Sequence, residues 1–471
     1  MDLISIDIQN FGEKYEDKAR NLRPFYFIVV VWGERYTDFL LNFCVASLLS
    51  PNNIPALLNK GNKFLIATTD EDWERMQNRV IFKLLKTFVE PVLLCIPPCP
   101  EGLSPCTHMG LGHKLATQMA YEHRAYGAIL TPDVMLSDGT VAAMQRHAVN
   151  GVEVVLTAAL RFGEEPLFDH LKQIGVISDD RRSGDVGSPL VASSRQLVWA
   201  SLRSFHSESL RYEWEKPYFH EFPSGIWWRV DQNGIVVHSL SWAPMLIDYN
   251  AMREHDSSVM DNWTIDGDYI FRNFGVSDKI HVVQDSDEMM HVSWAPLADR
   301  EQSLRPTSHH YLNRFYGDWA KGIRLHSAVT NPIFDPLKCK ILPLAVFWHA
   351  DPIDPQRWNE VESEARKVLA KYCGVKYESI GQVHISVING GLGVLIRYSY
   401  STLLLASLAM VSLSSVIFKI GGYARECWNR RSYLVSVLKC AIRGDPDARM
   451  RFKRSLRYFG YLVLGKRWTP D

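Results

Sequence analysis

Two carboxylates stand close together after an apolar segment in the first third of this chain. Asp133 follows the apolar run 128–130 directly after Thr131-Pro132, and Asp138 lies in a Ser-Asp-Gly turn that precedes Thr140. Hard divalent cations take carboxylate and phosphate oxygens as ligands. Open α/β sheets bind ligands at the carboxyl ends of their strands. Asp133 is therefore the first candidate ligand for Mg²⁺ or Mn²⁺, whereas Asp138 is better explained by the turn itself.

Further candidate groups come much later in the chain. The segment Thr264-Ile-Asp-Gly-Asp268 brings Asp266 and Asp268 to the expected start of a helix, where a carboxylate could either act as a base or cap the helix. His291 opens the sequence His-Val-Ser-Trp-Ala-Pro, which echoes the one that begins at His238. A histidine in such a position is more often a hydrogen-bonded structural residue than a ligand.

A glycine-rich stretch, His108-Met-Gly-Leu-Gly-His-Lys114, precedes an expected helix over 113–124. The free N–H groups of a helix start can bind phosphate, and Lys114 would add a positive charge. His113 and Lys114 are therefore candidate ligand-binding residues. A tight turn before a helix explains the same two glycines equally well.

These groups need a scaffold, and the pattern of apolar segments predicts one. Continuous apolar runs at 25–32, 63–69 and 90–96 alternate with helical patterns and indicate parallel strands buried on both faces. A helix is expected over 140–149, and Asn233-Gly234 predicts the turn of a β-hairpin. The expected fold class is α/β, with an open, mostly parallel sheet flanked by helices.

Composition and charge are those of a globular protein with a distinct tail. The chain has 471 residues, 46% hydrophobic and 22% charged, with 52 basic and 52 acidic side chains. Residues 392–471 hold 14 Lys and Arg against 4 Asp and Glu, so the rest of the chain is acidic. The eight cysteines are too dispersed for a disulfide framework, and no signal peptide is recognised in 1–23, so we expect a reducing compartment.

Taken in order, these features resemble the GT-A fold of nucleotide-sugar-dependent glycosyltransferases over residues 25–295. The resemblance rests on the first apolar strand and its helix, on the second strand that ends in Thr68-Thr-Asp70, and on the helix that leads into the strand before Asp133. It implies a divalent cation, Mn²⁺ or Mg²⁺, on Asp133 and His291. Met135 stands where this family usually has its second metal-binding acid, so a metal-independent relative is also considered. The resemblance further implies an acceptor-activating role for Asp266 and Asp268, and it implies donor contacts from Trp32, Gly33, Tyr36, Asp70, His113, Lys114 and Asp133.

The expected function is transfer of a sugar from a nucleotide-sugar donor to a hydroxyl of a glycan or a lipid-linked acceptor, as in the assembly of a cell-surface polysaccharide. The alternatives are a nucleotidyltransferase acting on a sugar phosphate, and a non-catalytic membrane-associated scaffold that keeps the fold. The chain is divided into a lead-in (1–23), a nucleotide-sugar-binding half (24–160), an acceptor-side half of the same domain (161–300), a helical and mixed extension (301–391) and the basic tail (392–471).

The tail predicts contact with a membrane surface. Residues 398–418 carry no charge and are long enough to span a bilayer; the interpretations left open are a re-entrant or in-plane helix, a short hairpin and a buried core helix. Basic and aromatic residues are interleaved in the segment that follows. Such segments bind anionic lipid headgroups. A basic tail can also bind nucleic acid, but no recognition motif accompanies this one, so nucleic acid is not expected. The expected localisation is cytoplasmic, with peripheral attachment to the membrane through 398–471 and a helical C-terminal region.

Overall fold

The computed structural model describes residues 14–182, 187–216, 219, 223–265, 267–299 and 336–373, with isolated positions between 318 and 328 and two short strands after 375. The described strands are β1 (Phe25–Val30), β2 (Lys63–Thr68), β3 (Glu90–Cys95), β4 (Tyr126–Leu130), β5 (Val134–Leu136), β6 (Val154–Ala158), β7 (Arg161–Gly163), β8 (Gly225–Asp231), β9 (Gly234–Ser239), β10 (Trp242–Asp248), β11 (Ile280–Val282), β12 (His291–Ala295), β13 (Val346–His349), β14 (Lys376–Tyr377) and β15 (Val383–His384).

Helices surround these strands. They are α1 (Glu34–Phe39, continued by a π-helical segment Leu40–Val45 and by Ala46–Leu48), α2 (Asp70–Gln77), α3 (Val80–Leu85), α4 (Pro105–Glu122), α5 (Thr140–Val149), α6 (Glu164–Gln173), α7 (Ser194–Leu202), α8 (Ser207–Leu210), α9 (Gly267–Phe274), α10 (Pro336–Ile341) and α11 (Pro355–Cys373). The mixed α/β class predicted from the alternation of apolar runs is confirmed.

A seven-stranded, mostly parallel sheet lies at the centre, in the order β11-β6-β10-β4-β1-β2-β3. Strand β10 is the antiparallel member and pairs with β4 on one side and β6 on the other. All six residues of β1 are buried, as expected for a central strand covered by helices on both faces. Because β10 comes from the second half of the chain, residues 24–160 and 161–300 contribute to one sheet.

Two small sheets extend this core. One has the order β5-β12-β7 and begins directly after Asp133. The other has the order β13-β9-β8, and its β8–β9 hairpin turns at Gln232-Asn233, so the predicted hairpin is confirmed. Strand β13 ties the region after 336 to β9.

The predicted membrane segment 398–418 and the basic tail lie outside the described residues. Among the residues that the structure describes, none of the helices is long and apolar enough to cross a bilayer.

Candidate functional site

The order of the strands marks one edge of the central sheet as a place for a ligand. From β1 the chain adds β2 and β3 on one side, then returns to add β4 on the other side. Strands β1 and β4 are parallel, so their carboxyl ends meet at the same edge. In open α/β sheets a crevice forms where the strand order reverses in this way. Trp32 and Gly33 follow β1 here, and Asp133 follows β4, so the structure brings these three predicted residues to one edge.

Asp133 faces an arginine that sequence reasoning missed. Its side chain is 14% exposed, and Oδ2 lies 3.6 Å from Nη1 of Arg161. The same guanidinium lies 3.8 Å from Oε2 of Glu208 and donates a hydrogen bond to the carbonyl of Trp294. Arg161 opens β7 just after β6 ends, so it reaches the crevice much as Asp133 does after β4. A charged residue soon after an apolar strand was the available signal for Arg161.

The first helix supplies the other side of this crevice. Tyr36 is 46% exposed, and its pKa is raised first by partial burial and then by the nearby charge of Asp133. The neighbouring Arg35 forms an ion pair of 2.5 Å with Glu164, whose side chain is almost fully buried. The crevice therefore combines a phenol with two guanidinium groups and several carboxylates, a set that can bind a polyanion together with a cation.

The loop between β1 and α1 is fixed by Asp72. Gly33 adopts φ +79°, which favours glycine, and its N–H donates to Oδ2 of Asp72 at 2.9 Å. The hydroxyl of Thr69 donates to the same oxygen, and the Asp72 side chain is buried. Asp70, the predicted donor contact, is the exposed first residue of α2. Asp72 therefore holds this loop, and the donor contact of Asp70 stays a prediction.

The glycine-rich stretch does not form a helix start, so the prediction of a helix beginning near 113 was wrong. Helix α4 begins at Pro105, and Gly110 and Gly112 lie inside it, where backbone N–H groups take part in helical hydrogen bonds. A Cβ on Gly112 would lie 2.7 Å from Val30 and 2.8 Å from Ala67. These glycines let α4 pack closely, and the phosphate contact predicted for the stretch is not available from their N–H groups.

His113 and Lys114 face the segment before α9. Nδ1 of His113 lies 2.8 Å from the hydroxyl of Thr264, and burial lowers the pKa of His113 to about 4. Nζ of Lys114 lies 2.6 Å from Oδ1 of Asp261. Both predicted donor-binding residues therefore connect α4 to 261–264, and these contacts do not join them to Asp133.

Asp268 already has a cationic partner. Its Oδ2 accepts hydrogen bonds from Arg272 one turn later in α9, at 2.7 Å from Nε and 2.6 Å from Nη2. A base must accept a proton from an acceptor hydroxyl, so Asp268 would first have to exchange Arg272 for that hydroxyl. Asp266 lies outside the described residues. The catalytic role given to both remains a prediction.

His291 and Asp133 are not brought together. In the antiparallel β5–β12 pair Ser293 is opposite Val134, so Trp294 is the residue next to position 133. His291 is three residues further along β12, so its Cα lies about 10 Å from that of Trp294. Its Nδ1 lies 3.2 Å from the Thr157 hydroxyl, and burial lowers its pKa to about 4. We therefore do not propose that Asp133 and His291 share a cation.

A third histidine belongs with His113 and His291. His238 on β9 is fully buried, its Nδ1 lies 2.9 Å from the carbonyl of Leu342, and burial lowers its pKa to about 4. The echo between the His238 and His291 sequences thus reflects two histidines held neutral inside the protein. We call His113, His238 and His291 the buried histidines.

Asp138 has the structural role expected from its turn. Its carboxylate accepts hydrogen bonds from the backbone N–H of Asn52 at 2.8 Å and from the side-chain amide of Asn52 at 2.7 Å. Burial alone would raise the pKa of Asp138, but these hydrogen bonds lower it. Asp133 is thus the acid of its segment that lies in the crevice.

Comparison of the chain with models of protein families and with curated proteins finds no match to either.

Proposed function

We propose that the protein is a nucleotide-sugar-dependent glycosyltransferase whose donor binds at the carboxyl ends of β1 and β4. The observation that carries this proposal is the position of Asp133 at the reversal of strand order, beside Arg161 and Tyr36. The open, mostly parallel sheet is also what the resemblance to GT-A enzymes implies.

The charges of the crevice suit the leaving group of this reaction. Sugar transfer releases a nucleoside diphosphate or monophosphate, and the enzyme must stabilise the negative charge that develops on it. Arg161 lies between two carboxylates and can turn from Asp133 toward a phosphate. Asp133, released from that ion pair, can then hold a divalent cation on the same phosphate. Arg35, which neighbours Tyr36 in α1 and pairs with Glu164, is a second guanidinium near Tyr36.

Glu208 adds a candidate for the acceptor side. It stands 3.8 Å from Arg161, and its side chain is 20% exposed. A carboxylate in this position could accept the proton of an incoming hydroxyl. Glu208 is also paired with Arg211 at 3.9 Å, just as Asp268 is paired with Arg272. We rank Glu208 before Asp268 because Glu208 lies beside Arg161 in the crevice.

Donor binding provides the first test. The full chain is heated with a panel of nucleotide sugars, each with and without Mn²⁺ or Mg²⁺, since a ligand of the native state raises the melting temperature. One donor is expected to raise it in the wild type. Asp133→Asn and Arg161→Gln should each lose most of this rise, whereas Asp138→Asn should keep it. If every donor leaves the wild type unchanged, or if Asp133→Asn responds like the wild type, the proposed site is incorrect.

Products separate this function from the alternatives. With a donor that binds and a mixture of glycan and lipid-linked acceptors, release of a nucleoside diphosphate or monophosphate supports sugar transfer. Release of pyrophosphate from a nucleoside triphosphate and a sugar phosphate would instead support a nucleotidyltransferase. An intact cellular glycan phenotype in Asp133→Ala and Glu208→Ala strains would support the non-catalytic scaffold.

A further inference from the structure

Three side chains from separate elements meet at one point in the described part of the chain. His147 lies in the last turn of α5, His281 on β11, and Glu288 in the loop between β11 and β12. Oε1 of Glu288 lies 2.5 Å from Nε2 of His147 and 2.9 Å from Nε2 of His281. The two imidazole rings face each other with centroids 4.1 Å apart. We call these three residues the His-Glu-His cluster.

The donor atoms of this cluster suit a metal ion. One atom from each residue lies within 4.8 Å of the others. The side chains are 16%, 34% and 27% exposed in the order His147, His281, Glu288, so an ion and a water molecule can reach them.

A second cluster of possible ligands differs from the His-Glu-His cluster in its ion pairs. Asp285, Asp287 and His349 also converge, but Arg195 binds both oxygens of Asp287, at 3.1 Å and 2.8 Å. A guanidinium in that position competes with a cation for the same carboxylate. Among the described residues, the ion pairs of Glu288 are those with the two histidines, and an imidazole becomes a metal ligand when it loses its proton.

We propose that the His-Glu-His cluster binds a divalent transition-metal ion of the zinc class, with water as its fourth ligand. Two imidazole nitrogens and one carboxylate oxygen are ligands that zinc takes in open sites, at about 2.0–2.2 Å. Tetrahedral geometry then requires ligand atoms separated by roughly 3.3 Å. Both Nε2–Oε1 distances must therefore open by less than about 1 Å, which partly exposed side chains can achieve by small rotations.

The ion would join three parts of the fold. It would connect edge strand β11 to α5 and to the loop that enters β12. Two residues after Glu288, Met290 exchanges hydrogen bonds with Ser137, which follows β5: the Ser137 N–H donates to the Met290 carbonyl at 2.9 Å, and the Met290 N–H donates to the Ser137 hydroxyl at 3.2 Å. Binding to the native state would therefore stabilise this region and raise the melting temperature.

Zinc titration tests the proposal on the full chain after chelator treatment and dialysis. The wild type is expected to bind Zn²⁺ and to melt at a higher temperature when Zn²⁺ is added. His281→Gln and Glu288→Gln should each weaken Zn²⁺ binding at least tenfold and lose the rise in melting temperature. His349→Gln, in the neighbouring cluster, is the matched control and should keep both. Equal Zn²⁺ affinity in the wild type and in His281→Gln would overturn the proposal.

Cobalt provides a readout that does not depend on the variants folding well. Co²⁺ replaces zinc, and its visible spectrum reports the ligands. Absorption bands of a four- or five-coordinate nitrogen and oxygen site in the wild type support the His-Glu-His cluster. A strong thiolate-to-metal band would assign the bound ion to cysteines such as Cys99 or Cys106 instead, and a spectrum of aqueous Co²⁺ would mean that the cluster binds no ion.

Discussion

Gly112→Ala tests whether close packing of α4 on the central sheet outweighs helix propensity. Gly112 lies in the interior of α4, where propensity alone predicts that alanine stabilises the protein by about 1 kcal/mol. The structure predicts the opposite sign. The new Cβ would meet Cγ1 of Val30 at 2.7 Å, Cβ of Ala67 at 2.8 Å and Cγ2 of Val30 at 2.8 Å. All three atoms lie near the carboxyl ends of β1 and β2, which are neighbouring parallel strands of the central sheet.

The size of the effect follows from these contacts. Real Cβ atoms essentially never approach other heavy atoms below 3.0 Å, so the helix or the strands must move. Overpacking of this kind costs about 1–3 kcal/mol. After the propensity gain of about 1 kcal/mol is subtracted, a net loss of up to about 2 kcal/mol is expected, or a fall in melting temperature of up to a few degrees.

Urea unfolding followed by tryptophan fluorescence measures this change as a lower midpoint at an unchanged slope. Leu111→Ala is the neighbouring control, because Leu111 is 40% exposed and its loss should change stability by less than about 0.5 kcal/mol. A higher midpoint for Gly112→Ala would refute the packing argument. Strand β1 ends at Val30, two residues before Trp32, and the Trp32 ring lies edge-on to the His108 ring of α4 with centroids 4.9 Å apart. Because a shift of α4 or β1 would move Trp32, donor affinity should fall together with stability.

Three further outcomes are expected. The buried histidines have a folded pKa of about 4, below the ordinary value of 6.5, so their contribution to stability is complete above pH 6.5 and is lost as the pH falls toward 4. At pH 5.5 each of them should lower the free energy of unfolding by about 1 kcal/mol. Equal urea midpoints at pH 7.5 and pH 5.5 would contradict this. Asp72→Ala should lower stability by about 1–2 kcal/mol and weaken donor binding by releasing the β1–α1 loop, and an unchanged donor affinity would argue against that loop. Glu71→Ala, in the same first turn of α2 and with an 87% exposed side chain, is its matched control and should change neither. Asp138→Ala should lower the urea midpoint by a similar amount while donor binding persists, so loss of binding without loss of stability would reverse the roles given to Asp133 and Asp138.

Local patterns predicted much of the scaffold. The helix expected at 140–149 has those bounds, and the Asn233-Gly234 hairpin is present. These elements are specified by residues that are neighbours in the chain. The start of α4 was missed although Pro105 is a common first helical residue, because the surrounding prolines and cysteines suggested a loop.

The site was predicted only in part because its contacts are formed by the tertiary fold. Asp133 follows a strand, and that position is visible in the sequence. Arg161 follows the end of β6 in a similar way, but nothing in the local spacing of Glu208 indicates that α8 brings it to Arg161. The same reason hides the His-Glu-His cluster, since His147 and Glu288 are 141 residues apart in the chain.

Strand β10 has a consequence for how the chain is made. It lies between β4 and β6 and pairs with both, so these strands cannot join one sheet until residue 248 has left the ribosome. At about 5–20 residues per second, synthesis from the end of β4 to the end of β10 takes on the order of ten seconds. During that time β4 and β6 present open edges, which are prone to pair with other chains. A nascent chain stalled near residue 160 should therefore depend on chaperones, whereas one stalled well beyond 300 should not.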